Sequence, residues 1–199
     1  MKTHKALRKR LTLCVCGMAG CGKSTLAKKI AEKYGLRYYS GGDALKALAI
    51  QEGYKLINRG WWESEEGMRF FRKRAQDPSY DKRVDGKLLE WAKKGNIVLD
   101  SWTMPWLLKT GFKVWLDASS EERAKRIARR DGIKMKEAIA ALKKKDAETK
   151  AIYKRLYGFS LGEDWSPFDV ILDVDQLTSE EVFQATSTII DRMLLRLDG

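Results

Sequence analysis

Residues 11–25 read LTLCVCGMAGCGKST. Leu11, Leu13 and Val15 alternate with Thr12, Cys14 and Cys16, a run that suits a buried strand. Behind it, Gly17, Gly22, Lys23 and Ser24 occupy every fixed place of G-x-x-x-x-G-K-S, the pattern of a phosphate-binding loop. The glycines let the backbone curl until several N–H groups face one hollow. The N-terminus of the next helix adds its dipole, so the hollow suits a polyphosphate. Lys23 brings a mobile positive charge for the β- and γ-phosphates, and the Ser24 hydroxyl is an oxygen ligand for Mg²⁺. Leu26, Ala27, Ile30 and Ala31 then follow at helical spacing, and Gly35 closes the helix as a C-cap. Strand, glycine loop and helix come in the order the chemistry needs.

The rest of the composition fits one folded α/β domain. The chain has 199 residues, 44% hydrophobic and 33% charged, enough to bury a core without staples. No apolar run approaches the length of a membrane span, and the basic start MKTHKALRKRL lacks the apolar core of a secretory signal. The three cysteines, Cys14, Cys16 and Cys21, are too clustered and odd in number for a disulfide framework, which predicts a cytoplasmic protein. Cys21 has two readings: a thiol activated by the helix N-terminus, or a small residue filling loop space. The net charge of +12 suits RNA, anionic nucleotides or a lysine-rich solvated surface alike. Lys2, Lys5, Arg8, Lys9 and Arg10 make residues 1–10 a basic, flexible arm, and residues 11–199 the single domain. The expected state is a monomer.

Further strands are predicted at Arg37–Ser40, Asn96–Asp100, Phe112–Asp117 and Asp169–Asp173, separated by helical patterns. That alternation implies a parallel sheet with helices on both faces. Residues 41–95 exceed what a crossover needs and read as a helical insert. A second insert, residues 119–158, opens with a capping box at Ser119 and Glu122 and contains breaks at Gly132 and Gly158. The last helix opens with a capping box at Thr178 and Glu181. Its expected buried stripe is Val182, Phe183, Ile189, Ile190, Met193 and Leu197. Ligands of such sheets sit beyond the carboxyl ends of the strands, which brings Ser40, Asp100 and Asp117 to the rim of the loop.

A GTPase is disfavoured, since neither D-x-x-G nor N-K-x-D occurs. Phosphoryl transfer to a small acceptor fits better, because it needs positioning and charge neutralisation more than covalent chemistry. The sole histidine, His4, lies in the arm, and an acceptor that is itself an ionised phosphate needs no general base. Arg123, Arg126 and Arg130 share a helical face. They form either a guanidinium clamp on the moving phosphoryl group or a solvated face paired with Glu121 and Glu122. Asp100 ends the apolar run NIVL, where it holds Mg²⁺ through water opposite Ser24 or caps the turn before Pro105.

With these pieces together, the chain resembles the nucleoside monophosphate kinases, and among them the archaeal-type cytidylate kinases. The resemblance runs from about residue 11 to the C-terminus. It rests on GMAGCGKSTLAKKIAEKYGL, YYSGGDALKALA, DKRVDGKLLEWAKKGNIVLD, FKVWLDASSEERAKRIARRDGIKMKEA, IYKRLYG and SPFDVILDVDQLTSEEV. It implies a P-loop nucleotide-kinase fold: a five-stranded parallel sheet in the order 2-3-1-4-5, a helical monophosphate-binding insert and an arginine-bearing lid. The implied reaction is ATP- and Mg²⁺-dependent phosphorylation of CMP or dCMP. The loop residues Gly17, Met18, Ala19, Gly20, Cys21, Gly22, Lys23, Ser24 and Thr25 would hold ATP, with adenine near residues 175–177. Ser40, Asp43, Lys46, Asp85 and Trp102 would line the acceptor site, and Arg123, Arg126 and Arg130 are the lid arginines. The chain departs from the family at three places: Lys46, Ser101-Trp102 and Ile152 stand where the family usually carries Arg, Gly-Arg and Arg. For Trp102 two readings stand, stacking on a base or packing in the core. The alternatives to the CMP reading are another small acceptor or an RNA-associated P-loop ATPase.

Overall fold

The quoted segment builds the middle of a sheet. The computed structural model describes residues 11–55 and 60–197; the basic arm lies outside the described residues. Thr12–Gly17 is β1, Lys23–Tyr34 is α1, Arg37–Ser40 is β2 and Gly41–Gln51 is α2. A 3-10 turn at Trp61–Glu63 leads into α3 (Glu65–Gln76) and α4 (Ser79–Lys93). Then come β3 (Ile97–Asp100), α5 (Met104–Leu107), β4 (Phe112–Asp117), α6 (Ser120–Asp131), α7 (Met135–Tyr157), β5 (Val170–Asp173) and α8 (Ser179–Leu197). The five strands are parallel in the order β2-β3-β1-β4-β5, as expected.

β1 is buried on both faces, which explains its near-continuous apolar character. Leu13 and Val15 pack toward Leu26, Ala27 and Ile30 of α1 and Val182 and Ile190 of α8. On the opposite face Cys14 joins Leu45 of α2 and Leu88 of α4, while Cys16 joins Trp115, Ile152 and Phe159. A fourth cluster, around Ala124, Ile127, Ala138 and Leu142, holds α6 against α7.

The helix ends fall where the residue chemistry sets them. Gly35, Gly132 and Gly158 adopt left-handed C-caps with φ of 64°, 70° and 80°. Ser119 Oγ accepts from the Glu122 N–H, and Thr178 Oγ1 accepts from the Glu181 N–H. In α8 Val182, Phe183, Ile190 and Met193 join the core as expected, and Ile189 does not. Thr186 and Ser187 are buried between Val182 and Ile190, and Thr186 Oγ1 donates back to Val182 O. Ile189 therefore turns out to solvent and is 39% exposed. No helix among the described residues is long and apolar enough to cross a membrane.

Candidate active site

The loop between β1 and α1 is shaped by glycines that nothing larger can replace without displacement. At Gly17, with φ 148°, a Cβ would sit 2.5 Å from both Cys21 Sγ and Leu116 O; at Gly20, with φ 83°, it would sit 2.8 Å from Arg123 O. Gly22, with φ 100°, is the N-cap of α1, and no side chain caps that end. The first N–H groups of a twelve-residue helix thus face the hollow without a side-chain acceptor, an arrangement that fits a polyphosphate.

Two cavities meet at this loop. One, of about 240 Å³, runs from Lys23, Ser24 and Asp100 into the 41–95 segment. The other, of about 650 Å³, lies between the loop, Arg126 and Arg129, and residues 177–179 at the start of α8. Gly20, Lys23, Ser24, Ile127 and Arg130 line both. The hydroxyl of Ser24 and the carboxylate of Asp100 share the smaller cavity, an all-oxygen donor pair suited to Mg²⁺ held partly through water. Asp100 accepts from the Tyr38 hydroxyl at 3.2 Å. The cap of α5 falls to Ser101 instead, whose Oγ accepts from the N–H groups of Thr103 and Met104.

The residues expected to face an acceptor are not equally placed. Ser40 Oγ caps α2 by accepting from the Asp43 N–H at 3.1 Å, and both residues line the smaller cavity. Lys46 turns its ammonium over the Trp61 ring, 5.8 Å from the centroid, and is absent from the cavity lining. Asp85 lines the cavity from α4 and is buried. Its Oδ1 accepts from Thr103 Oγ1 and its Oδ2 from the Tyr157 hydroxyl, both at 2.6 Å. Burial pushes its carboxyl up to about 6, against the lowering pull of those two hydroxyls. Trp102 lines the cavity beneath Lys23, and its Nε1–H donates to Gly17 O at 2.7 Å.

The three arginines expected to form a lid clamp are placed differently. Arg123 is buried; its Nη1 donates to Ala19 O at 3.2 Å and its Nη2 pairs with Asp146 at 2.8 Å. Arg126 donates to Cys21 O at 3.1 Å and to Val174 O at 2.6 Å. Arg130 pairs with Asp131 at 2.6 Å and borders both cavities. Glu121 and Glu122 pair with Lys125. Cys21 is 1% exposed, and burial pushes its thiol up, outweighing the lowering pull of Lys23. Of its two readings, the space-filling one describes this structure.

Several cavity residues escaped the sequence reading. Arg74 of α3 is fully buried, with two hydrogen bonds to Asp81 and one to the Tyr153 hydroxyl. Burial works against its charge, but Tyr153 and Asp81 outweigh that and hold its pKa above the ordinary value. Lys145 of α7, 8% exposed, sets its ammonium 5.3 Å from the Trp62 ring centroid. Positive charge therefore enters this cavity from α3 and α7, while Ile152 is buried among aromatic side chains. A signal did exist: Phe70, Phe71 and Arg74 fall three and four residues apart, so the arginine stands on the apolar stripe of α3.

A family model described as the cytidylate kinase-like family matches residues 12–176. The chain is 34% identical to the cytidylate kinase of Pyrococcus horikoshii over 186 residues, covering 92% of this chain and 90% of that protein. It is 32% identical to the cytidylate kinase of Methanocaldococcus jannaschii over 188 residues, covering 92% and 99%. Among solved structures, the shikimate kinase of Bacteroides thetaiotaomicron is similar with a TM-score of 0.56 and 16% identity, over 91% of this chain and 98% of that one, a likeness of fold.

Proposed function

The chain belongs to the cytidylate kinase-like family and is a transferase of the nucleoside monophosphate kinase kind; from that premise we propose that it carries the γ-phosphoryl group of ATP to CMP or dCMP. The observation behind this reading is the meeting of the two cavities at Lys23 and Ser24. We assign the larger to ATP, with its base toward residues 177–179, and the smaller to the monophosphate. Their shared wall is where a phosphoryl group has to pass.

An oxygen of the acceptor phosphate attacks the γ-phosphorus, and the bond to the β–γ bridging oxygen breaks, leaving ADP. A phosphate monoester is mostly ionised near neutral pH, its second pKa being about 6. No proton has to be removed from the nucleophile, which suits a cavity without histidine among the described residues. Lys23 and the loop N–H groups neutralise charge on the triphosphate. Arg130, bordering both cavities, is assigned to the moving group. Arg123 and Arg126 hold the loop carbonyls of Ala19 and Cys21 and so keep the opposite, N–H side of the loop turned inward. Ser24 and, through water, Asp100 would hold Mg²⁺, whose positive charge would offset that of the phosphates.

For the base we assign to Asp85 acceptance from the 4-amino group of cytosine. Each of its oxygens keeps a lone pair after the bond from Thr103 or Tyr157. Uracil presents a carbonyl at the same place, which a carboxylate repels.

The test is incubation with ATP, Mg²⁺ and CMP, dCMP, UMP, AMP or GMP, with chromatography for diphosphates. CDP and dCDP forming ahead of the others supports the reading. ATP hydrolysis stimulated by RNA, with no diphosphate formed, would favour an RNA-associated ATPase.

A further inference from the structure

The Lys23 ammonium lies 5.2 Å from the centroid of the Trp102 ring. That ring is held on several sides. Its Nε1–H donates to Gly17 O at 2.7 Å, and Tyr153 meets it edge-on with centroids 6.3 Å apart. Its own backbone is tied to β1, because the Ser101 N–H donates to Val15 O and the Cys16 thiol donates weakly to Trp102 O. The plane under Lys23 is therefore fixed by the same strand that carries the loop.

Asp100 lies two residues before Trp102 and shares the smaller cavity with Lys23. A lysine on a flexible stem that shares a cavity with a buried carboxylate has a strong reason to pair with it. Such a pair would remove both the cation meant for a triphosphate and the carboxylate meant for a metal. No such pair forms: among the described residues no carboxylate stands within ion-pair reach of Lys23. An indole face attracts an ammonium without neutralising it. A triphosphate can then take the lysine over.

We propose that Trp102 is a positioning residue for the phosphate-loop lysine: its indole face holds Lys23 over the hollow and keeps it apart from Asp100. The chain thus has an aromatic floor under the lysine where its resemblance leads one to expect an arginine facing the acceptor. The inference rests on the reading of the loop as the ATP site and gives Trp102 a task on the donor side.

The experiment is calorimetry of MgATP binding, with steady-state kinetics in parallel, on the wild type, Trp102→Leu and Trp102→Phe. The leucine variant loses the π-face and is expected to bind MgATP about tenfold more weakly. Its kcat/KM for ATP falls in step, and it needs more Mg²⁺ for half-maximal ATP binding. The phenylalanine variant keeps a ring face without the N–H and recovers most of the lost affinity. A leucine variant that binds like the wild type, or a phenylalanine variant as weak as the leucine one, overturns the proposal. Should the leucine variant not fold, a spectrum of the ¹⁵N-labelled indoles decides. Lys23→Met shifts the Trp102 N–H resonance, identified by its loss in Trp102→Phe, and an unmoved resonance overturns the contact. Wild type that binds MgATP but forms no CDP sinks the acceptor reading alone; wild type that takes up no MgATP sinks both.

Discussion

The guanidinium of Arg74 meets the carboxylate of Asp81 through two hydrogen bonds, Nε to Oδ2 at 2.9 Å and Nη2 to Oδ1 at 2.7 Å, with both side chains withdrawn from solvent. Nη2 also donates to the Tyr153 hydroxyl at 2.7 Å. One buried charge pair thereby joins α3, α4 and α7 behind the smaller cavity.

Breaking that pair from one side strands a charge in the interior. Asp81→Leu is expected to cost about 3–5 kcal/mol in urea-induced unfolding. The double variant Arg74→Met/Asp81→Leu should cost less than the sum of the two single changes, and a cycle that is additive would show that the pair does not act as a unit.

Asp85 sets a pH dependence of the opposite sign to that of most carboxylates. Its folded value is about 6 against an ordinary 3.8, so between those values the folded state binds the extra proton. Stability from this group is fully present below about pH 4 and is lost as pH rises through about 6, up to about 3 kcal/mol in all. Asp85→Asn should remove that slope. Stability of the two proteins measured from pH 4 to 8 should converge at the acid end and favour the asparagine variant above pH 6. Parallel curves would contradict the burial argument. In the acceptor panel, the same variant should narrow the preference for CMP over UMP.

Lys23 is partly exposed, and its ammonium lies over the Trp102 face. Lys23→Ala should lower kcat by at least about a hundredfold while moving the unfolding midpoint by no more than about 2 °C. Turnover close to wild type would remove Lys23 from the reaction.

All three thiols are buried, and burial pushes each of them up. A thiol-reactive dye at neutral pH should therefore label the native protein very slowly and all three positions once it is unfolded in denaturant. Rapid labelling of one site in the native protein would reopen the activated reading of Cys21.

The fold was legible because its strands declare themselves one at a time. Arg37–Ser40 and Phe112–Asp117 have the expected bounds. β3 begins one residue late because Asn96 adopts a left-handed φ of 51° and turns its side chain to accept from the Leu11 N–H. β5 begins late because Asp169 caps the Lys113 N–H at 2.7 Å. The loop was legible because its residues are contiguous. The wall of the smaller cavity was not, because Arg74, Asp81 and Lys145 come from three helices and converge only through packing. Lys46 shows the same limit: its place in α2 was readable, but its turn toward Trp61 depends on a ring fifteen residues away.

The topology also fixes when the loop takes shape. β1 is flanked by strands at residues 97–100 and 112–117, and the loop carbonyls are held by Arg123 and Arg126, the latter also bonded to Val174. Every group that moulds the glycine segment, from β3 to Val174, follows it along the chain. A nascent chain is thus expected to take up nucleotide only once the segment through Val174 has been synthesised. Fragments ending before that point should be handled by the cell as unfolded clients, whatever phosphate-binding signature they carry.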